Sequence, residues 1–260
     1  MAGITHVIHC AGATKARRIS GFYQVNQVGT QNVVSAANAQ KVTRLIYISS
    51  LAAAGPATSE RPAREEDPPR PVSEYGKSKL AGENEVRNHC RGEYVILRPP
   101  AVYGPRDAEF LKLFKAVQRH LAPRTGRQDL SLVFVRDLAQ AVIGCLDHPA
   151  AVAKTYFVAA RETVTVSRMA HEIAANLKVW TVPLPLPALF LWPVCLAQEI
   201  RARLTGTASV LSLQKYAELR ADGWVCDPNR FERETGVVCA TTLQQGIAET
   251  LAWYRQNHWL

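Results

Sequence analysis

Hydrophobic and polar positions along the chain fall into two kinds of segment. Short apolar runs predict buried parallel strands, and longer stretches with apolar residues three and four positions apart predict helices between them. Strands are expected at residues 5–10, 44–48, 94–97, 130–135 and 155–158. Helices are expected at residues 22–38, 73–89, 108–120 and 137–146, with a polar, proline-rich surface loop at 53–71.

This alternation of strands and helices predicts an α/β fold with a Rossmann-like, doubly wound parallel sheet. Beyond residue 160 the pattern loosens into helices at 166–177, 188–204, 213–219 and 243–257 and one short strand at 224–226. We therefore expect residues 1–160 to form the sheet domain that carries the chemistry. Residues 161–260 should form a smaller, mostly helical substrate lobe over the carboxyl ends of the strands, where open α/β sheets bind ligands.

Composition indicates a globular protein of ordinary size. The chain has 260 residues, of which 47% are hydrophobic and 20% charged, values typical of soluble domains. The net charge of +9 would suit an anionic partner, but lysines and arginines are dispersed, with no run longer than Arg17 and Arg18. This dispersion favours a basic surface over a nucleic-acid-binding site. The six scattered cysteines, without a CxxC pair, indicate a reduced, cytoplasmic protein with no metal site.

One segment, residues 179–197, is nearly all apolar. Its four prolines argue against an uninterrupted membrane-spanning helix. Two interpretations stay open. The segment forms a buried strand and helix, or its part from Trp180 to Leu196 forms an apolar wall over a lipophilic substrate and rests on a membrane surface. In the second case the protein would be cytoplasmic and peripheral to a membrane.

The candidate chemistry lies in the predicted helix 73–89 and just after the predicted strand 44–48. Tyr75 and Lys79 are four residues apart, so a helix places both on one face. A phenol has a pKa of about 10, and a nearby cation lowers it. Tyr75 is therefore a candidate general acid and base, with Ser50 as the hydrogen-bonding partner of a substrate oxygen. The plainer alternative is a solvated helix face.

Further motifs follow in a fixed order. They are VIHCAG at 7–12, Asn26 in NQVGTQNV, ISSLAAAG at 48–55, YGKSK at 75–79, LRPPAVYGP at 97–105 and FVRDLAQAV at 134–142. This series resembles the extended short-chain dehydrogenase/reductase family, which includes NAD-dependent epimerases/dehydratases, 3β-hydroxysteroid dehydrogenases and dihydroflavonol reductases. The resemblance covers essentially the whole chain.

The resemblance implies a role for each matching residue. Tyr75 would exchange a proton with the substrate oxygen, and Lys79 would bind the nicotinamide ribose and lower the Tyr75 pKa. Ser50 would orient the carbonyl, and Asn26 would support the site from the neighbouring helix. The implied cofactor is NAD or NADP, with these further residues beside it: Cys10, Ala11, Gly12, Pro99 and Val102. His9 is expected to be a packed strand residue, and Asp137 a helix N-cap.

Two positions bear on the substrate. Sugar-nucleotide members of the family usually carry a Tyr where this chain has Ala54, and an Asn where it has Ala101. A lipophilic ketone or secondary alcohol, steroid- or flavonol-like, is therefore expected as the small-molecule substrate. Sugar-nucleotide epimerisation or dehydration is the alternative.

The sequence also lacks a family feature. Family members begin with a strand, a GxxGxxG turn and a helix that holds the cofactor pyrophosphate, whereas this chain contains no GxxGxxG and starts at the family's fourth strand. We expect an N-terminally truncated sheet with an exposed edge at residues 5–10. Whether the chain is an active enzyme stays open, and the alternative is an inactive remnant acting as a binding or scaffold protein. The resemblance also implies a homodimer through helices 26–38 and 73–89.

Overall fold

The computed structural model describes residues 3–124, 128–185 and 213–260, with side chains from residue 216 onward in the last part. Its strands are β1 His6–His9, β2 Arg44–Ile48, β3 Glu93–Arg98, β4 Ala101–Tyr103, β5 Leu121–Arg124, β6 Asp129–Phe134, β7 Lys154–Phe157, β8 Thr163–Val164, β9 Val182–Pro185 and β10 Gly223–Trp224. Its α-helices are α1 Ile19–Tyr23, α2 Gly29–Ala39, α3 Leu51–Ala54, α4 Glu74–His89, α5 Ala108–Gln118, α6 Val135–Gly144, α7 Val166–Leu177, α8 Leu213–Leu219, α9 Asn229–Thr235 and α10 Leu243–Gln256.

The central sheet contains four parallel strands in the order β1, β2, β3, β7. Inner strands of such a sheet are covered by helices on both faces, which explains the continuous apolar runs in the sequence. Leu45, Ile46 and Tyr47 of β2 are fully buried, and each large apolar side chain stabilises the fold by about 1.5–3 kcal/mol. The predicted Rossmann-like α/β class is confirmed.

Two smaller sheets adjoin this one. In the first, β6 lies between β10 and β4 and also pairs antiparallel with β8. In the second, β5 pairs in parallel with β9. The pattern did not predict β4, β5 or β8, whose runs are short or contain proline. The predicted helix at 188–204 lies outside the described residues.

One hydrophobic cluster contains residues from both sides of the predicted boundary at residue 160. Phe114 and Phe134 pack in it with Ile173 of α7 and Ile247 and Tyr254 of α10. The division at residue 160 stays a prediction.

The predicted helix 22–38 consists of three pieces. Between α1 and α2, residues Gln24–Val28 form a π-helix, a wider turn that occurs mostly as a local bulge inside α-helices and often at functional sites. The pieces follow one another without a break. The turn at the centre of this helix is therefore wider than the sequence pattern predicted.

Strand β1 lies at the edge of the central sheet. Among the described strands, β1 pairs with β2 alone, and Ile8 is 43% exposed. The expected exposed sheet edge is thus present in the described part of the chain.

The apolar segment that begins near Trp180 is described as far as residue 185. Its described part is the exposed strand β9, so a buried strand is not found there, and the remainder lies outside the described residues. None of the described helices is both long enough and apolar enough to cross a bilayer.

Candidate active site

The site forms at the carboxyl end of β2, where the strand gives way to the short helix α3. Ser50 is the N-cap of α3, and its Oγ accepts a hydrogen bond from the backbone N–H of Ala52 at 3.1 Å. Leu51 N donates to Pro99 O at 2.8 Å, which ties this turn to the end of β3. Both strand ends are therefore fixed at the same edge of the sheet.

Helix α4 brings Tyr75 to Ser50. A Cβ at Gly76 would overlap the Ala52 carbonyl oxygen, so the glycine allows α4 to approach α3 closely. The Ser50 hydroxyl lies near the Tyr75 phenol and lowers its pKa. The sequence-predicted pair is thus brought together.

The pKa of Tyr75 is raised above its ordinary value. Burial is the largest cause and the negative charge of Glu218 adds to it, while the nearby Ser50 hydroxyl lowers the pKa. The predicted direction was the opposite one. It was wrong because burial disfavours the phenolate more than the polar neighbours favour it.

Lys79 is also buried on α4, one helical turn after Tyr75. Its Nζ donates to Ile48 O at 2.7 Å and lies 4.4 Å from the centre of the Tyr47 ring. Burial lowers the pKa of Lys79 to about 8, and Glu83 and Cys10 counteract this. An ammonium has three N–H donors, so the bond to Ile48 leaves capacity for a ligand.

Asn26 lies in the π-helix and is fully buried. Its side chain exchanges two hydrogen bonds with the backbone of Ala13, at 2.7 and 3.0 Å, and its Nδ2 donates to Ser78 Oγ at 2.9 Å. Ser78 Oγ in turn donates to Tyr75 O at 2.8 Å. Asn26 therefore connects the loop after β1 to the helix that carries Tyr75 and Lys79.

The loop after β1 passes close to Lys79. A Cβ at Gly12 would lie 3.6 Å from Lys79 Nζ and 3.3 Å from Asn26 Oδ1. Cys10 and Ala11 are exposed beside it. Absence of a side chain at Gly12 leaves room in front of the lysine, as the close approach of a cofactor requires.

Two predicted cofactor neighbours lie on the next strand ends. Pro99 is buried, and its carbonyl oxygen accepts from Leu51 N. Val102 is half-buried on β4, opposite Val133 of β6. Pro99 thus adjoins Ser50. Val102 packs against the cluster that contains Val133 and Val158.

The sequence reasoning missed a buried ion network behind the site. Ser49 Oγ donates to Glu83 Oε1 at 2.5 Å, and Arg98 forms two hydrogen bonds with the same carboxylate, at 2.8 and 2.7 Å. Arg87 adds a fourth, at 2.7 Å. Burial raises the pKa of Glu83, but the two arginines and Ser49 outweigh it and hold this pKa below the ordinary value. The sequence signal that could have revealed Glu83 was its position four residues after Lys79, on the same face of the helix.

A second missed contact joins α8 to the first turn of α4. Ser73 is the N-cap of α4, accepting from Gly76 N at 3.1 Å, and its hydroxyl donates to Glu218 Oε1 at 2.7 Å. The Glu218 carbonyl also accepts from Trp224 Nε1 at 3.0 Å. No local sequence signal could reveal this contact, because the two residues are far apart in the chain.

Two further interpretations can be compared with the structure. His9 is buried, as expected, and its Nε2 lies 3.0 Å from Thr30 Oγ1. Asp137 is not an N-cap, because α6 begins at Val135. Its carboxylate instead accepts from the backbone N–H and hydroxyl of Thr241, at 2.9 and 2.7 Å. The described residues contain no group of three acidic, histidine or cysteine side chains arranged for a metal ion.

The comparison with protein families agrees with this geometry. Residues 1–159 match the model of the NAD dependent epimerase/dehydratase family. The chain belongs to this family. Membership accounts for the common placement of the Ser50, Tyr75, Lys79 and Asn26 side chains at one sheet edge.

Two characterised members of the family are similar over nearly the full chain. A ceramide reductase of Caulobacter vibrioides is 31% identical over 97% of this chain and 75% of the relative. A UDP-glucose 4-epimerase of Vibrio cholerae is also 31% identical, over 97% of this chain and 77% of the relative. The two relatives have different activities, so identity alone does not choose between them.

Solved structures of the family share the fold. A UDP-glucuronic acid 4-epimerase from Bacillus cereus, in complex with NAD, has a TM-score of 0.77 with 17% identity, covering 98% of this chain and 76% of that one. MoeE5, in complex with UDP-glucuronic acid and NAD, has a TM-score of 0.75 with 20% identity, covering 98% and 81%. At this identity the likeness concerns the fold.

Proposed function

We propose that this chain carries the catalytic half of an NAD(P)-dependent oxidoreductase that acts on a ketone or secondary alcohol. The observation that carries the proposal is the buried Tyr75 phenol, which lies near Ser50 and four residues from the buried Lys79. A raised pKa keeps Tyr75 protonated near neutral pH. Tyr75 then donates its proton to a carbonyl oxygen, and Ser50 orients that oxygen.

The residues present fit the nicotinamide end of the cofactor. Gly12 leaves space in front of Lys79, whose N–H donors suit ribose hydroxyl oxygens. A bound reduced nicotinamide supplies the hydride for the carbonyl carbon. Lys79 would hold the ribose, while Asn26 fixes the loop of Cys10, Ala11 and Gly12 against the site. The sequence contains no GxxGxxG for the pyrophosphate.

We further propose that the substrate is lipophilic. Ala54 and Ala101 present methyl groups at the two positions where sugar-nucleotide members of the family carry polar side chains. A relative named as a ceramide reductase, similar over 97% of this chain, supports a long-chain lipid over the steroid- or flavonol-like molecules expected from the resemblance. Sugar-nucleotide epimerisation is the second candidate, supported by an equally identical relative.

The chemistry is tested by Tyr75→Phe, with Tyr94→Phe on β3 as the matched control. We expect Tyr75→Phe to lower turnover by roughly 10²- to 10⁴-fold, the usual contribution of a positioned acid or base. Binding of NADH or NADPH, followed by calorimetry, should be retained. Full turnover in Tyr75→Phe would show that Tyr75 takes no part in the reaction.

Cofactor stoichiometry separates the two substrate classes. A reductase consumes one reduced nicotinamide per product molecule, whereas an epimerase oxidises and reduces its cofactor within one cycle. The chain should oxidise NADH or NADPH when supplied with a long-chain ketone lipid. Conversion of UDP-glucose without net cofactor consumption would instead establish epimerisation.

A candidate function of another class is a binding or scaffold protein that uses the open edge of β1. The exposed Ile8 beside this edge favours it, because unpaired strand edges recruit further strands. This candidate predicts no saturable binding of either cofactor and a stable complex in light scattering. Saturable cofactor binding by a monomer would count against it.

We also propose a cytoplasmic homodimer. The described cysteines are free thiols, which suits a reducing compartment. Helices α2 and α4 pack side by side, and Val25 and Val28 of the π-helix present exposed apolar surface next to them. Sedimentation equilibrium tests this: a monomeric mass throughout the concentration range would exclude the dimer.

A further inference from the structure

An apolar face lies on the two-stranded sheet of β5 and β9, away from the catalytic site. The parallel register pairs Leu121 with Val182 and Pro123 with Leu184. Paired residues point to the same side of a sheet, and side chains two apart share a side. Leu121, Val182 and Leu184 are 41%, 51% and 40% exposed. We call these three side chains, with Pro123 and Trp180, the β5/β9 face.

Trp180 lies two residues before Val182 and is 68% exposed. Its ring stacks on that of His120, with 4.2 Å between ring centres. Its backbone carbonyl oxygen lies 2.8 Å from His120 Nδ1, and Val182 N donates to His120 O at 2.8 Å. The indole is thus held in place at the surface, where a contiguous apolar patch usually marks an interaction site.

The surroundings of the β5/β9 face are basic. Residues 112–124 contain no Asp or Glu, but they contain Lys112, Lys115, Arg119 and Arg124. Arg119 precedes β5 and Lys178 precedes β9, and both are exposed. A second copy of the chain would place like charges opposite one another, which disfavours self-association here. An anionic surface with an apolar interior complements both properties.

We propose that the β5/β9 face docks onto an anionic lipid bilayer. Trp180 would enter the headgroup region, where indole rings concentrate. The strand side chains would contact the acyl boundary, and Arg119 and Lys178 would meet lipid phosphates. This inference goes beyond the proposed reaction and does not depend on it, since docking needs neither cofactor nor Tyr75.

Vesicle cosedimentation without cofactor tests the proposal. The probes are vesicles of phosphatidylcholine alone and vesicles that also contain phosphatidylserine. We expect binding to the anionic vesicles, weakened by salt because exposed charges are screened. The variant Arg119→Gln/Lys178→Gln should bind roughly tenfold or more weakly, since each basic residue near an anionic surface contributes about fivefold.

A second variant tests the apolar side chains of the β5/β9 face. Trp180→Ser/Val182→Ser should lower partitioning by roughly tenfold or more, with the unfolding midpoint retained because both side chains are exposed. Ile143→Ser is the matched control, since Ile143 is 63% exposed on α6, outside this face. It should bind vesicles as the unchanged chain does.

Three outcomes would overturn the proposal. The first is absence of binding to the phosphatidylserine vesicles. The second is equal loss of binding in Ile143→Ser and in the variant of the face, which would indicate general stickiness. The third is concentration-dependent self-association that Trp180→Ser/Val182→Ser abolishes, which would assign the face to a second copy of the chain. Loss of turnover in Tyr75→Phe has no bearing on any of them.

Discussion

Ser49 and Ser50 both follow β2, but their side chains contact different groups. Ser49 donates to the buried Glu83, whereas the Ser50 hydroxyl lies near Tyr75 and lowers its pKa. Ser50→Ala should therefore lower turnover by roughly 10- to 100-fold, within the range of one lost hydrogen bond to a reacting group. Ser49→Ala should destabilise the fold by about 1–3 kcal/mol and leave the turnover of folded protein nearly intact.

Denaturant unfolding and turnover measured on both variants check this division. Each serine variant is the control for the other, because they differ by one position. Equal loss of turnover in the two variants would contradict the assignment.

Burial of Lys79 carries a stability cost. The folded-state pKa of about 8 lies below the ordinary 10.5, so the unfolded chain binds more protons between these values. Stability should therefore rise with pH across that window. Lys79→Met should remove this dependence and stabilise the fold at neutral pH by on the order of 1–2 kcal/mol, after the lost bond to Ile48 offsets part of the gain.

Thermal unfolding measured from neutral to alkaline pH tests this prediction. Lys77→Met is the matched control, since Lys77 is exposed on the same helix and should show neither effect. A less stable Lys79→Met variant at neutral pH would show that the ammonium stabilises the fold.

The sequence alone predicted the candidate site residues whose spacing is local. Tyr75 and Lys79 are one helical turn apart, and Ser50 follows a strongly apolar strand. Glu218 and the contacts of Glu83 with Ser49 and Arg98 were not predicted, because these contacts are set by the crossing of distant elements. The direction of the Tyr75 pKa was wrong for the same reason: burial of one side chain depends on the whole fold.

At the scale of elements, α8 acts on α4 through Ser73 and Glu218. Glu218→Gln removes a negative charge near Tyr75 and keeps an acceptor for the Ser73 hydroxyl. The pKa of Tyr75 should fall, because a carboxylate disfavours the phenolate. Tyr47 of β2 also interacts electrostatically with Tyr75.

Ultraviolet difference titration against Tyr75→Phe isolates this phenol from the other tyrosines. Glu249→Gln on α10 is the control and should leave the titration unchanged. If the Tyr75 titration in Glu218→Gln matches that of the unchanged chain, the carboxylate has no influence on Tyr75.

Element prediction succeeded where apolar periodicity was strong. The strand Arg44–Ile48 and the helix Val166–Leu177 were predicted with the observed bounds. The strands β4 and β8 were missed because two or three residues carry no period. A strand at β9 was one of two interpretations, but the expected burial was wrong because all four residues are exposed. The helix Asn229–Thr235 was missed because Phe231 is its only apolar residue, which gives no period.

At the scale of the whole molecule, the open edge of β1 should make the chain self-associate. Ile8→Lys places a charge beside that edge, a device by which natural sheets avoid pairing with further strands. We expect a smaller mean mass in light scattering at high protein concentration, with Ile143→Lys as the control for added charge. An unchanged mass would locate the association elsewhere.

The π-helix at Gln24–Val28 sets the orientation of Asn26 relative to the two flanking helices. A π-helical turn forms when one extra residue is inserted into an α-helix. Shortening this segment by one residue would restore a regular helix and rotate Asn26 by about 100° relative to one flank, away from Ala13 and Ser78. A one-residue deletion here should thus improve local helix geometry while separating the loop of Gly12 from the helix of Tyr75.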